Sequence, residues 1–96
     1  METIATEIEK KQNLLLIIRS EAVHVPATEI EMRDAMRTCI SVCNEINQCM
    51  WFLEKHVSKL NDTKNTYEIK KVGDFSIKVV NYKMRKIIGT ITAKNN

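Results

Sequence analysis

Residues 32–60, MRDAMRTCISVCNEINQCMWFLEKHVSKL, decide how the rest of the chain is read. Apolar side chains recur through them at an unbroken three-four spacing: Met32, Met36, Cys39, Cys43, Ile46, Met50, Leu53, Val57 and Leu60. A repeat near 3.5 residues keeps one stripe facing a helical partner, so the spacing predicts one long helix that packs lengthwise against other helices. Ala35, Val42 and Cys49 border the seam on one side and Ile40 on the other, which widens it from a two-stranded zipper toward a bundle interior. No Gly or Pro occurs from Glu29 to Asn61, and at 1.5 Å per residue such a helix spans ~48 Å. A compact chain of this length is only roughly 32 Å across. The helix outruns its own domain, so the nine seam residues are expected to form a subunit interface in a homo-oligomer, a dimer or larger.

Upstream, Thr6 and Glu9 have capping-box spacing, and Ile4, Ile8, Leu15, Ile18 and Ala22 repeat the three-four pattern. This predicts a first helix over residues 3–24, in which Leu16 and Ile17 make the stretch Leu14 to Ile18 apolar all round and therefore buried. Val23, His24 and Val25 favour extended backbone before Pro26, and Thr28 with Glu31 restarts a helix over 28–61. The result is a helical hairpin. A single helix kinked at Pro26 is the competing reading, because Val25 and Met32 keep the heptad phase.

After Asn61 to Asn65 the period changes to two. Tyr67, Ile69, Phe75, Ile77, Val79, Ile87 and Ile91 alternate with polar residues, which predicts a three-stranded antiparallel meander. An odd loop, Val72-Gly73-Asp74, would pair Ile69 with Ile77 and Tyr67 with Val79 and set Glu68 opposite Lys78. Trp51 and Phe52 lie off the seam, and the meander is their expected cover. The predicted fold is α+β in a single domain, residues 1–96: helical hairpin over 1–62, basic β-meander over 63–96.

Hydrophobic residues make up 44% of the 96 and charged residues 28%, which excludes wholesale disorder. The net charge of +3 is unevenly spread, −3 over residues 1–62 and +6 over residues 63–96. Three cysteines, an odd number, and an N-terminus without a signal-peptide layout point to reduced thiols and a cytoplasmic location. The longest apolar run, Leu14 to Ile18, falls far short of the ~20 residues that cross a bilayer, so no membrane span is expected. Ile, Lys and Asn supply 31 residues, a bias that accompanies AT-rich coding in low-GC bacteria and their phages.

The candidate chemistry is sparse. Cys39 and Cys43 are one turn apart, and Cys49 and His56 share another stripe. Zinc sites gather converging ligands from knuckles and turns, whereas these all fall on one straight predicted helix, where cysteine packs as a small hydrophobe. No metal and no cofactor is therefore expected. His24 and His56 have no nucleophilic or acid-base partner in the pattern, and no phosphate loop, HExxH or EF-hand is present. An enzyme is not expected.

The basic third presents Lys70, Lys78 and Lys86 on the solvent face of the predicted meander, flanked by Tyr82, Lys83 and Arg85. Cations beside an aromatic suit phosphates and a stacked base; lysines also serve simply to protect an exposed sheet edge. The leading functional expectation is a non-enzymatic, homo-oligomeric interaction or regulatory module, inhibitor-like and stoichiometric toward a protein partner. The alternative is a binder of nucleic acid or nucleotide-like anions through the basic sheet, as a phage-encoded sequestering or anti-defence protein would be.

Overall fold

A computed structural model describes residues 14–19 and 25–94. In chain order these form β1 (Leu14–Ile18), α1 (Ala27–Val42), α2 (Ile46–Leu60), β2 (Tyr67–Val72), β3 (Ser76–Asn81) and β4 (Lys86–Ala93). The fold is α+β: the strands make one antiparallel sheet in the order β1-β4-β3-β2, and the two helices cover one of its faces. α1 lies on β1 and β4, and α2 on β2, with lesser contact to β3 and β4. No helix among the described residues is long and apolar enough to cross a membrane.

Two expectations from the sequence are corrected. The single long helix is two helices, because the backbone turns extended at Cys43 (φ −100°, ψ 149°) and again at Glu45 (φ −150°, ψ 166°). A continuous helix over the same residues would extend about 51 Å, whereas the sheet's longest strand has eight residues and reaches only about 27 Å. The corner fits the helical run to the sheet. No Gly or Pro marks it; Asn44 donates its backbone N–H to Gln48 Oε1 at 2.7 Å, which replaces a helical bond lost at the break. The seam survives the corner in sequence because the step from Cys43 to Ile46 is still three residues.

The second correction concerns Leu14–Ile18, which forms an edge strand instead of the middle of a helix; the remainder of the expected first helix, residues 3–13 and most of 19–24, lies outside the described residues. Burial alternates along β1, with Leu14 buried and Leu15 and Ile17 exposed. The sheet therefore has four strands. β1 joins β4, with Leu16 opposite Ile91 and Ile17 opposite Thr90.

The predicted meander is present, with its register moved by two residues. The first hairpin loop is odd, as the apolar pattern requires, but it comprises Gly73, Asp74 and Phe75, so that Val72 pairs with Ser76 and Ile69 with Val79. Gly73 takes φ +66°, the left-handed conformation that glycine adopts without a Cβ penalty, at the first position of this turn. Glu68 then pairs with Val80, and Lys70 stands directly opposite Lys78.

The seam supplies the helical half of the core. Met32, Met36, Cys39, Cys43, Ile46 and Leu53 are buried, and Met50, Val57 and Leu60 are half-buried against the same cluster. Their partners are this chain's own Leu14, Ile77, Val79, Ile88 and Ile91. The nine residues nominated for a subunit interface thus line the interior of a single chain. Trp51 is not covered by the meander: it is 66% exposed, with Lys55 Nζ 3.8 Å above its ring. Phe52 is half-buried and packs on His56.

Two polar ties fix the N-terminal end of α1. Glu29 is fully buried, and its carboxylate receives Arg33 at 2.9 Å and Lys86, at the start of β4, at 2.6 Å. Thr28, expected to cap the helix, instead meets the Tyr67 hydroxyl at 2.6 Å, while the carbonyl of Pro26 accepts the N–H groups of Glu29 and Ile30. Burial pushes the Tyr67 phenol above its ordinary value.

Gly89 lies in β4 between the β1 backbone and Met36 of α1. A Cβ there would stand 2.7 Å from the Ile17 carbonyl oxygen and 3.0 Å from Met36 Cε. The flexible methionine can give way, but the backbone carbonyl cannot. Gly89→Ala is accordingly expected to lower the unfolding free energy by about 1–3 kcal/mol, the range for overpacking, whereas Gly73→Ala strains only the turn; urea melts of the two variants measure the difference. Replacing Lys86 by Met leaves the buried Glu29 with one cation instead of two and is expected to cost roughly 2–4 kcal/mol, read in the same melts.

Candidate functional site

The helices cover one face of the sheet and leave the other open. By register, that open face carries the row Ile17, Thr90, Lys78, Lys70 across the four strands, and beside it the row Leu15, Thr92, Ser76, Val72. Ser76 and Thr92 hydroxyls meet at 3.0 Å. Lys70 and Lys78 are a directly opposed like-charge pair, an arrangement that destabilises a sheet when nothing neutralises it. Among the described residues neither lysine forms an ion pair.

Next to the two lysines, the β3–β4 turn closes a groove of about 320 Å³ lined by Lys70, Val80, Asn81, Tyr82, Arg85, Lys86 and Ile87. A register shift between Val79 and Val80 leaves Val80 opposite Ile87, and both supply the apolar floor. Tyr82 is exposed at the rim. Arg85 takes φ +54°, the left-handed region, which is uncommon for a residue with a side chain. Such strain persists only where the surroundings over-determine it.

Those surroundings are a polar lattice centred on Asn81. This residue is fully buried at the end of β3; its Oδ1 accepts the N–H of Met84 at 3.3 Å and of Thr66 at 3.4 Å, and its Nδ2 donates to Asn65 Oδ1 at 2.9 Å. Asn65 is held in turn by Asp62, whose Oδ1 accepts the backbone N–H groups of Asn65 at 2.7 Å and Lys64 at 2.8 Å. These two bonds hold the Asp62 carboxyl below its ordinary value. The preceding loop thus buttresses the turn that carries Tyr82 and Arg85.

Of the six residues nominated for anion binding, four remain available on this face: Lys70, Lys78, Tyr82 and Arg85. Lys86 lines the groove, but its ammonium is committed to Glu29. Lys83 Nζ donates to the Thr63 carbonyl at 2.7 Å and braces the loop. The Lys70–Lys78 pairing was missed in the sequence because the register was taken two residues away, which set Glu68 against Lys78.

A second groove, about 350 Å³, runs between the helices and contains His56 together with Glu31, Asp34, Thr38 and Lys59. His56 Nδ1 lies 3.1 Å from the Phe52 carbonyl, and Asp34 is engaged by Arg37 at 2.9 Å. Among the described residues no carboxylate forms a hydrogen bond with the imidazole.

Comparison with protein-family models, with curated proteins and with solved structures finds no match to this chain.

The Asp62 shift sets a pH dependence. A carboxyl depressed in the folded state contributes stability at pH above its unfolded value, about 3.9, and loses it as pH falls through the folded value. Thermal melts are expected to show a larger fall in Tm between pH 6 and pH 3 for the native chain than for Asp62→Asn, which has no carboxylate to protonate.

Proposed function

We propose that this chain binds phosphate-bearing polyanions, nucleic acid in a single-stranded or looped form, through the open face of its sheet. The observation that carries the reading is the opposed pair Lys70 and Lys78, neither of them in an ion pair among the described residues, adjoining the groove of Tyr82 and Arg85. Two ammonium groups on neighbouring strands, with a guanidinium at the end of the face, suit consecutive phosphates of a flexible strand. An exposed phenol at the rim adds a surface on which a base stacks, and Thr90 beside Lys78 adds a hydroxyl. The acidic first two-thirds of the sequence, at −3, limits binding to this one region.

A second reading, of a different class, has its own observation. Trp51, Val42 and Ile30 are exposed on the helical layer, and exposed large apolar side chains mark protein contacts when they form a contiguous patch. On this reading the chain is a non-enzymatic, homo-oligomeric regulatory module that acts through its helices. Sedimentation at micromolar concentration separates the two: an oligomer that Trp51→Asp dissociates supports it, and a monomer removes it.

For the leading reading, fluorescence anisotropy with labelled single-stranded RNA and DNA gives the test. Three cations on a single strand are expected to give a log–log salt dependence with slope about −2. Lys70→Gln combined with Lys78→Gln is expected to weaken binding more than roughly tenfold, with the melting temperature unchanged or raised because the like-charge pair is gone. No change in anisotropy at low salt would overturn the proposal.

A further inference from the structure

We propose that Cys39, Cys43 and Cys49 form a site for one soft, thiophilic metal ion, bound through three sulfurs at the corner between α1 and α2. Packing alone is the expected role of cysteines on a single straight helix, where Cys39 and Cys49 would stand about 15 Å apart along the axis. The corner removes that separation. All three Sγ atoms lie within 4.8 Å of one another, and Cys39 and Cys43 are 3.6 Å apart.

These distances are those of a ligand set. Three sulfurs each about 2.3 Å from one ion are about 3.8 Å apart in a tetrahedral arrangement and about 4.0 Å apart in a trigonal one. The observed spacings bracket both. All three cysteines are free and buried, and they come from both sides of a turn, the arrangement in which converging donors are found.

The donors are sulfur only, which selects Cu(I) or Zn(II) over hard cations such as Mg(II) and Ca(II). Three sulfurs with no nitrogen or oxygen donor in the group suit three-coordinate Cu(I) better than Zn(II), whose structural sites close with four protein ligands. Cys43, the first residue of the corner and the least enclosed of the three, gives the way in.

Loading is not a redox step. Three S–H bonds break, three sulfur–metal bonds form, and three protons pass to water. Affinity therefore rises with pH.

The experiment uses the untagged chain, reduced and free of oxygen. One sample receives Cu(I) in competition with a chromophoric chelator and another receives Zn(II), each followed by desalting and metal analysis. About one Cu(I) per chain is expected, with Cys39, Cys43 and Cys49 protected from alkylation, and retention falling roughly tenfold or more in Cys39→Ala and Cys49→Ala. Circular dichroism shows whether those variants keep their fold; the stoichiometry and alkylation pattern of the native chain decide the matter without them. Retention of Zn(II) alone, with the same three thiols protected, supports the site with a different ion. Retention of neither ion by the native chain, binding that leaves the thiols open to alkylation, or binding undiminished in folded alanine variants would overturn the proposal.

Discussion

Turning the backbone extended at Cys43 and again at Glu45 allows helices of sixteen and fifteen residues to share one sheet, α1 over β1 and β4 and α2 over β2. Without this corner one helix would overhang the sheet and leave half of its apolar stripe in water. With it, a stripe that steps three or four residues at a time stays on the inner side of both helices. Leaving a seam residue such as Leu53 exposed, when it is now fully buried, would forgo about 1.5–3 kcal/mol. At the corner the Gln48 side chain and the Glu45 carbonyl take up the N–H groups of Asn44 and Cys49, which offsets part of its cost; the Asn44 Oδ1 is buried there without a hydrogen-bond partner among the described residues.

Once the helices are folded onto one face, polar groups decide where they sit. The first turn of α1 is fixed toward β4 by Glu29 with Lys86 and toward β2 by Thr28 with Tyr67. A buried carboxylate between two cations contributes little net stability compared with apolar residues of equal volume, yet any displacement that separates the charges is strongly unfavourable. Its effect is therefore on alignment more than on total stability. At the same end of the sheet Asn81, the register partner of both Tyr67 and Lys86, does the same for the loops, satisfying two backbone N–H groups while its amide holds Asn65.

The seam was legible as a buried stripe, and six of its nine residues are buried, but a stripe specifies a face and not what lies on it. A period near 3.5 is satisfied by a partner helix and equally by a sheet. The corner was not legible because it uses neither Gly nor Pro, and Asn44 followed by a glutamine four residues later is a common pairing on a helix surface. Leu14–Ile18 illustrates a different ambiguity: five consecutive apolar residues fit a buried helix turn and a strand alike, and β1 resolves it by exposing Leu15 and Ile17. In the meander the alternation of apolar residues fixed the parity of the pairing, which the structure keeps, whereas the register within that parity was set by where Gly73 falls in the turn. Four of the six nominated basic-face residues remain available there. The two others, Lys83 and Lys86, are bound to a loop carbonyl and to Glu29, long-range contacts that residue spacing does not reveal.

The two candidate sites lie in different layers and make opposite demands on their surroundings. The lysine face draws on charge that water already solvates, so an anion there displaces counterions and costs little desolvation of the protein. The cysteine corner is closed and apolar, so a charged occupant must be matched by thiolates formed as it enters. α2 joins them structurally, since it begins just after the corner and packs on β2, the strand that carries Lys70. Arg85 and Tyr82 take their positions instead from Asn81 and the 62–66 loop.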